Sequence, residues 1–303
     1  MAFTASDVKS LRERTGCGMM DCKKALTESD GDFEKAIEYL REKGLAAATK
    51  KAGRIAADGM VYATVDKANK VGVVVEVNSE TDFVAKNEQF RTFVAEIAEI
   101  VSKTNPATVE ELMTEVMPNG DTVEAALQEK ILVIGENLKI RRFVRYEGEC
   151  VAYIHAGGTH GVLVKFETSD EVFAKPEFEV YGKDVAMQIA AINPSFLCKE
   201  DVDSDTLEKE KEIIMQQAIN EGKPVNIAEK MVAGRISKYY KENCLLEQQF
   251  VKDDKQSITD YTKATAKELG SDIKIVAFTR FEKGEGIEKK SDDFAAEVAS
   301  MTK

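Results

Sequence analysis

Histidine is almost missing from this sequence of 303 residues: two occur, His155 and His160, in a glycine-rich stretch between two strand-like runs. They do not share a helix face, and no cysteine or carboxylate pair accompanies them at metal-ligand spacing, so a bound metal is not expected. Cysteine is scarce as well. Cys17, Cys22, Cys150, Cys198 and Cys244 are odd in number, include no C-x-x-C and are spread along the chain, a pattern that suits a reducing cytoplasm rather than a disulfide framework. Cys17 and Cys22 flank Gly18-Met19-Met20-Asp21, a spacing that matches no zinc or redox motif, and both read as small buried or partly buried residues. No run of 18 apolar residues occurs, and Met1–Thr15 lacks a basic region followed by an apolar one, so neither membrane insertion nor export is expected. Positive charge is in the minority: 42 Lys and Arg stand against 54 Asp and Glu, for a net charge of -12. Holding a phosphate backbone calls for a basic surface, so direct nucleic-acid binding is disfavoured. One segment, Lys43–Arg54 with Lys50 and Lys51, is a basic patch on this acidic background.

The motifs of nucleotide and acyl chemistry are missing too. There is no GxxxxGK[ST] loop, no GxGxxG between a strand and a helix, and no G-x-S-x-G elbow. Gly284-Glu285-Gly286 would repel phosphates with its carboxylate and reads as a turn. With 54 acidic residues, paired carboxylates arise by chance and carry no argument for acid–base catalysis. The sequence therefore describes a binding protein without a cofactor, not an enzyme.

What is present is ample apolar material. Hydrophobic residues make up 43% of the chain and the mean hydropathy is -0.30, enough to bury real cores, and the length calls for two or more compact units. Thr4 and Asp7 have capping-box spacing before a helix with Val8 and Leu11 on one stripe, ended by Gly16 and Gly18. A second helix from about Met19, with Met20, Ala25 and Leu26 inward, stops at Asp30-Gly31. Asp32 caps a third, carrying Phe33, Ala36, Ile37 and Leu40 and closed by Gly44. Leu45–Gly59, rich in Ala, Lys and Gly, reads as a partly helical linker. Beyond it Val61–Val65 and Val71–Val77 flank a turn at Asn69-Lys70 as a β-hairpin. A helix with Phe90, Phe93, Val94, Ile97 and Val101 at helical spacing runs from about Asn87 to Lys103.

The rest is organised by an internal duplication. Gly72-Val73-Val74-Val75-Glu76-Val77 resembles Gly161-Val162-Leu163-Val164-Lys165-Phe166, 89 positions later, and Lys139–Glu147 resembles Lys274–Glu282, 135 positions later. The second copy thus holds 46 additional residues. Ser204–Glu242 is the candidate insertion: Leu207, Ile214 and Ala218 stripe one helix ending at Gly222-Lys223-Pro224, and Ile227, Met231, Val232, Ile236 and Tyr239 stripe another. A short connection between them makes an antiparallel helical hairpin, either projecting toward a partner or packed into the core. A closing helix is expected over about Asp292–Met301, with Phe294, Ala295 and Val298 inward. The fold class is α+β.

Two motifs carry a family resemblance. Leu11-Arg12-Glu13-Arg14-Thr15-Gly16-Cys17-Gly18-Met19-Met20-Asp21-Cys22-Lys23-Lys24-Ala25-Leu26 and Asn78-Ser79-Glu80-Thr81-Asp82-Phe83-Val84-Ala85-Lys86 resemble the two signatures of the elongation factor Ts family. Further matches are Ile134-Gly135-Glu136-Asn137 before Ile140-Arg141-Arg142, Ile227-Ala228-Glu229-Lys230-Met231-Val232, and Arg280-Phe281 with Gly284–Glu288. The resemblance implies a ubiquitin-associated-like three-helix domain with its linker over residues 1–55, related core subdomains over 56–143 and 144–285, a hairpin insertion at about 204–242, and a C-terminal helical module over 286–303. It also implies the partner, elongation factor Tu, and the activity, exchange of that partner's bound GDP for GTP. A homodimer, or a heterotetramer with the partner, stays open.

Carried over residue by residue, the resemblance makes Asp82 and Phe83, with Thr81 before them, the pair inserted beside the partner's Mg²⁺ site. Taken alone, Thr81-Asp82-Phe83 reads as a helix cap followed by a packed aromatic. Met19 and Met20, with Lys23 on the same helix, match residues that touch the partner's GTPase domain, although a core role for one methionine fits as well. Ile134 and Gly135 match a second contact loop, and His155 a packing or hydrogen-bonding residue near the aromatic wedge. The rival reading is an adaptor or chaperone cofactor built on the ubiquitin-associated-like module alone, without exchange activity.

Overall fold

The computed structural model describes residues 3–288. Three helices come first: α1 (Ala5–Thr15), α2 (Met19–Glu28) and α3 (Phe33–Lys51). Their ends follow local chemistry. The Asp7 N–H donates to Thr4 Oγ1 at 3.3 Å while the Asp7 carboxylate takes the Thr4 N–H at 2.6 Å, Gly16 turns the chain at φ 68°, and Asp32 Oδ1 accepts from the N–H groups of Glu34 and Lys35. Val8, Leu11, Cys17, Cys22, Ala25, Leu26, Ala36 and Leu40 fill the bundle core. Met20 is not among them; it points outward, contrary to the inward position its spacing suggested.

Gly44 does not close α3, which continues to Lys51 and takes up the first half of the expected linker. A β-carbon at Gly44 would sit 3.3 Å from the carbonyl oxygen of Gln128. The glycine is there to let α3 approach α7 (Val123–Ile134), not to end a helix. Leu132 and Val133 of α7 pack into the bundle core, Lys51 Nζ donates to the Ile131 carbonyl at 3.2 Å, and Arg41 pairs with Asp121.

Two small antiparallel sheets form the centre. The first joins β1 (Asp58–Asp66), β2 (Val71–Ser79) and β3 (Lys139–Glu147) in that order. The second joins β4 (Glu149–His155), β5 (His160–Glu167) and β8 (Lys274–Glu282). The duplicated segments are the central strands β2 and β5 and the edge strands β3 and β8. Each central strand shifts register against its edge strand at the matching place, between Glu76 and Val77 and between Lys165 and Phe166. All nine residues of β2 are buried, which is why it reads as a continuous apolar run rather than an alternation.

The sheets pack face to face through Val61, Ala63, Val74, Cys150, Leu163 and Phe281. Duplicated glycines make the approach possible. A β-carbon on Gly72 would fall 2.6 Å from Leu163 Cδ1 and 2.8 Å from Cys150 Cβ, and one on Gly161 would collide with Val61. The outer face of the first sheet is covered by α5 (Glu88–Thr104), α6 (Val109–Thr114) and α7, with the short α4 (Asp82–Ala85) at its end. The outer face of the second is covered by α8 (Asp170–Phe173), α9 (Pro176–Ile192) and α12 (Ile258–Leu269), beside a two-stranded ribbon of β6 (Gln249–Phe250) and β7 (Asp253–Ser257). The fold is α+β.

Between α9 and the ribbon the chain leaves as α10 (Ser204–Asn220) and returns as α11 (Val225–Asn243). The two helices pack against each other, with Ile214 and Ala218 of α10 and Ala228 and Ile236 of α11 buried. Ile227 is exposed instead of inward, because the adjacent Ala228 takes the seam position; Ile213, Ile219 and Val225 are exposed with it. The helix expected at Asp292–Met301 lies outside the described residues. Among the described residues no helix is long and apolar enough to cross a membrane.

Candidate partner-binding surface

β2 delivers the chain to a turn built around one inward and one outward apolar side chain. Val84 is buried in the core of the first sheet, whereas the adjacent Phe83 is 77% exposed. Sequence alone suggested a helix cap and a packed aromatic here; Thr81 does stand at the N-cap position of α4, but the aromatic is not packed. The Thr81 hydroxyl makes no capping bond to α4 and donates to Glu136 Oε1 at 2.6 Å. Lys86 Nζ lies 3.0 Å from Asp82 Oδ2 and 5.7 Å from the centroid of the Phe83 ring. The hydrogen bond from Lys86, then its charge, holds the Asp82 carboxyl below the ordinary value of 3.8, so Asp82 is a carboxylate at neutral pH.

Glu136 binds more than Thr81. Its Oε2 also accepts the N–H groups of Glu80 and Thr81, each at 3.0 Å. Glu80 answers in kind: its Oε1 accepts the Asn137 N–H at 2.6 Å and lies 3.4 Å from Arg54 Nη1. Asn137 Nδ2 donates to the Arg54 carbonyl at 2.8 Å. The loop that begins with Ile134 and Gly135 is thereby tied to the Phe83 turn and to the segment leaving α3. Gly135 takes φ 85° at the end of α7, and its N–H donates to the Ile131 carbonyl at 3.1 Å. Ile134 is partly buried against the core of the first sheet.

His155 ends β4 and faces His160 across the pair, with ring centroids 6.1 Å apart. The Tyr153 hydroxyl is 3.1 Å from His155 Nδ1, and Arg280 Nη2 is 3.1 Å from His160 Nδ1. Burial first, and the Arg280 charge second, lower the His160 pKa below 6.5, so its imidazole is neutral at pH 7. The β4–β5 turn lies at the same end of the molecule as Phe83: the Lys283 N–H donates to the Thr159 carbonyl, Lys283 Nζ bonds Asp58 Oδ1, and the Lys283 charge also reaches the Asp82 carboxylate. Among the described residues, no group of three or more His, Cys, Asp or Glu is placed to hold a metal ion.

The structure thus gathers Thr81, Asp82, Phe83, Ile134 and Gly135 into one loop cluster, with His155 at the same end of the sheets. Met19, Met20 and Lys23 sit on a different element, α2, where Met19 is 55% and Met20 73% exposed; Lys23 is exposed beside them. Glu76, Glu80, Glu136 and Asn137 all stand within motifs legible in the sequence, but spacing gives none of them a task. Glu76 is fully buried and joins the two halves. It accepts from Arg141 Nη1 at 3.0 Å, Arg142 Nε at 2.6 Å, Asn78 Nδ2 at 2.9 Å and the Gly284 N–H at 2.8 Å. The one signal pointing to it was a charged residue amid a run of valines.

Fold and surface define an internally duplicated α+β protein that presents a fixed, solvent-exposed aromatic turn. A family model described as Elongation factor TS matches residues 80–285. A protein named Elongation factor Ts from Clostridium botulinum (strain Eklund 17B / Type B) is 55% identical over 302 residues, covering 99% of both chains. One of the same name from Clostridium kluyveri (strain NBRC 12016) is 57% identical over 301 residues, covering 98% of this chain and 97% of its own. Another from Trichlorobacter lovleyi is 53% identical over 308 residues, covering 99% and 98%. The chain belongs to the elongation factor Ts family.

Proposed function

We propose that this protein is the guanine nucleotide exchange factor of elongation factor Tu in translation elongation. It binds the GDP form, disturbs the Mg²⁺ and phosphate site, and releases GDP so that GTP can reload. No bond is made or broken. The exchange factor binds the empty partner more tightly than the GDP form, and by linkage it weakens GDP by the factor by which GDP weakens it.

The observation that supports this reading is the exposure of Phe83. A phenylalanine 77% open to solvent on a turn whose backbone is tied down gains nothing for folding and is ready to be buried elsewhere. Inserted between helices of the partner, it contributes about 1.5–3 kcal/mol, or roughly ten- to a hundredfold in release rate if realised at the barrier. Asp82 brings a carboxylate to the same place, where negative charge competes for the metal's surroundings. Mg²⁺ is the largest local charge at such a site, and disturbing it leaves the diphosphate poorly neutralised. Met19, Met20 and Lys23 on α2, and Ile134 and Gly135 in the second loop, supply further contact area, and His155 at the same end of the sheets adds a packing or hydrogen-bonding group. This activity needs the sheets as well as the bundle, unlike an adaptor acting through residues 1–55 alone.

Titrating the protein into elongation factor Tu loaded with a fluorescent GDP, in excess unlabelled GDP, tests the reading. Release should accelerate and saturate with the factor's concentration. Release at the spontaneous rate throughout would contradict it.

A further inference from the structure

We infer that Glu136 is a positioning residue for nucleotide exchange, fixing the turn that carries Asp82 and Phe83 to the Ile134–Gly135 loop. The inference rests on the exchange reading above. A helix of four residues such as α4 cannot hold its own direction, because nucleation consumes more order than so few hydrogen bonds return. Phe83 cannot help, since it is open to solvent. The Asp82–Lys86 pair is exposed on both sides, and such pairs restrain little. Val84 anchors the turn from beneath, which fixes its depth but leaves its rotation to other groups.

Glu136 supplies that restraint. One carboxylate takes three donors from two consecutive residues, the Glu80 and Thr81 N–H groups and the Thr81 hydroxyl, immediately before the residues proposed to enter the partner. Hydrogen bonds to a charged acceptor are the strong kind, and those to the two backbone N–H groups set the peptide planes leading into the turn. The Glu80 carboxylate returns the bond to Asn137, so the two loops are clamped in both directions and cannot rotate independently. The Asn137 amide and the Glu80 carboxylate add Arg54 at the end of the bundle. The surfaces proposed to touch the partner through Gly135 and Phe83 are thereby joined by one network that also reaches the segment leaving α3, and the ordering cost of the turn is met before the partner arrives.

The test is stopped-flow release of fluorescent GDP from elongation factor Tu across a range of factor concentrations, using wild type, Glu136→Ala, Thr81→Val, Phe83→Ala and the Glu136→Ala/Phe83→Ala double variant. A positioning role predicts that Glu136→Ala lowers the maximal release rate about tenfold or more and shifts the half-saturating concentration less than about threefold. Thr81→Val, which removes one hydroxyl and keeps the shape, should lower it about two- to fivefold. With Phe83 already truncated, removing Glu136 should cost less than about twofold further. If Glu136→Ala does not fold, Thr81→Val alone and combined with Phe83→Ala decides. Wild-type maximal rates in Glu136→Ala and Thr81→Val, with a slow Phe83→Ala, would overturn the inference and leave the exchange reading intact. Fully multiplicative losses in the double variant would also overturn it. A wild-type protein that fails to accelerate release would instead bring down the exchange reading.

Discussion

Phe83 and Glu76 sit seven positions apart and are opposites: an aromatic ring in water and a carboxylate in the interior. The exposed ring carries no folding load, so Phe83→Ala should leave stability within about 0.5 kcal/mol of wild type. The buried carboxylate does. Burial pushes Glu76 up, but hydrogen bonds from Asn78 and the Gly284 N–H, and the Arg142 charge, outweigh it and leave its pKa below the ordinary 4.5. A group whose folded pKa is depressed stabilises fully above its unfolded value and loses that contribution as pH falls through the folded one. Glu76→Gln should therefore cost about 1.5–3 kcal/mol at pH 7, because it removes the charged acceptor shared by Arg141 and Arg142, of which Arg142 keeps the Glu285 carboxylate. The gap in melting temperature between variant and wild type should narrow below pH 4.5; a gap that is constant with pH would show that the charge of Glu76 is not what stabilises. Neither residue could be weighed from spacing alone, because burial decides both cases and burial is set by partners far along the chain.

At the scale of elements, much was legible wherever the cause was local. Thr4, Asp32 and Asn87 cap helices through bonds spanning two or three residues, and the valine runs became strands because a strand covered on both faces needs apolar residues throughout. Gly44 was misread because glycine serves helix ends and close helix contacts alike, and only the position of α7 distinguishes them. The Glu136 clamp was hidden for a similar reason: its bonds span 55 and 56 residues, beyond any periodicity. The duplication was readable as repeated residues, but the task of its glycines was not. Gly161→Ala should destabilise by about 1–3 kcal/mol, since the added methyl meets Val61 of the opposing sheet. Urea denaturation measures it, and an unchanged midpoint would mean that the sheets are not in contact there.

For the whole molecule, a bundle, two back-to-back sheets with their helices and an inserted hairpin are arranged so that the proposed contact loops share one end. The hairpin's root is already closed: the Ser195 and Phe196 N–H groups donate to the Asn243 carbonyl, and the Leu245 N–H to that of Phe196. Excising residues 204–242 and joining the ends with a short glycine-serine link should leave one cooperative thermal transition, because the cores of both sheets are built without that segment. Loss of cooperativity would show that the hairpin belongs to the core.

An exposed aromatic turn is proposed to open another protein's nucleotide site, and the maximal rate of fluorescent GDP release from elongation factor Tu at saturating Phe83→Ala measures whether it does. That rate should fall roughly ten- to a hundredfold below wild type, with folding unchanged by circular dichroism. Release at the wild-type rate would contradict this role.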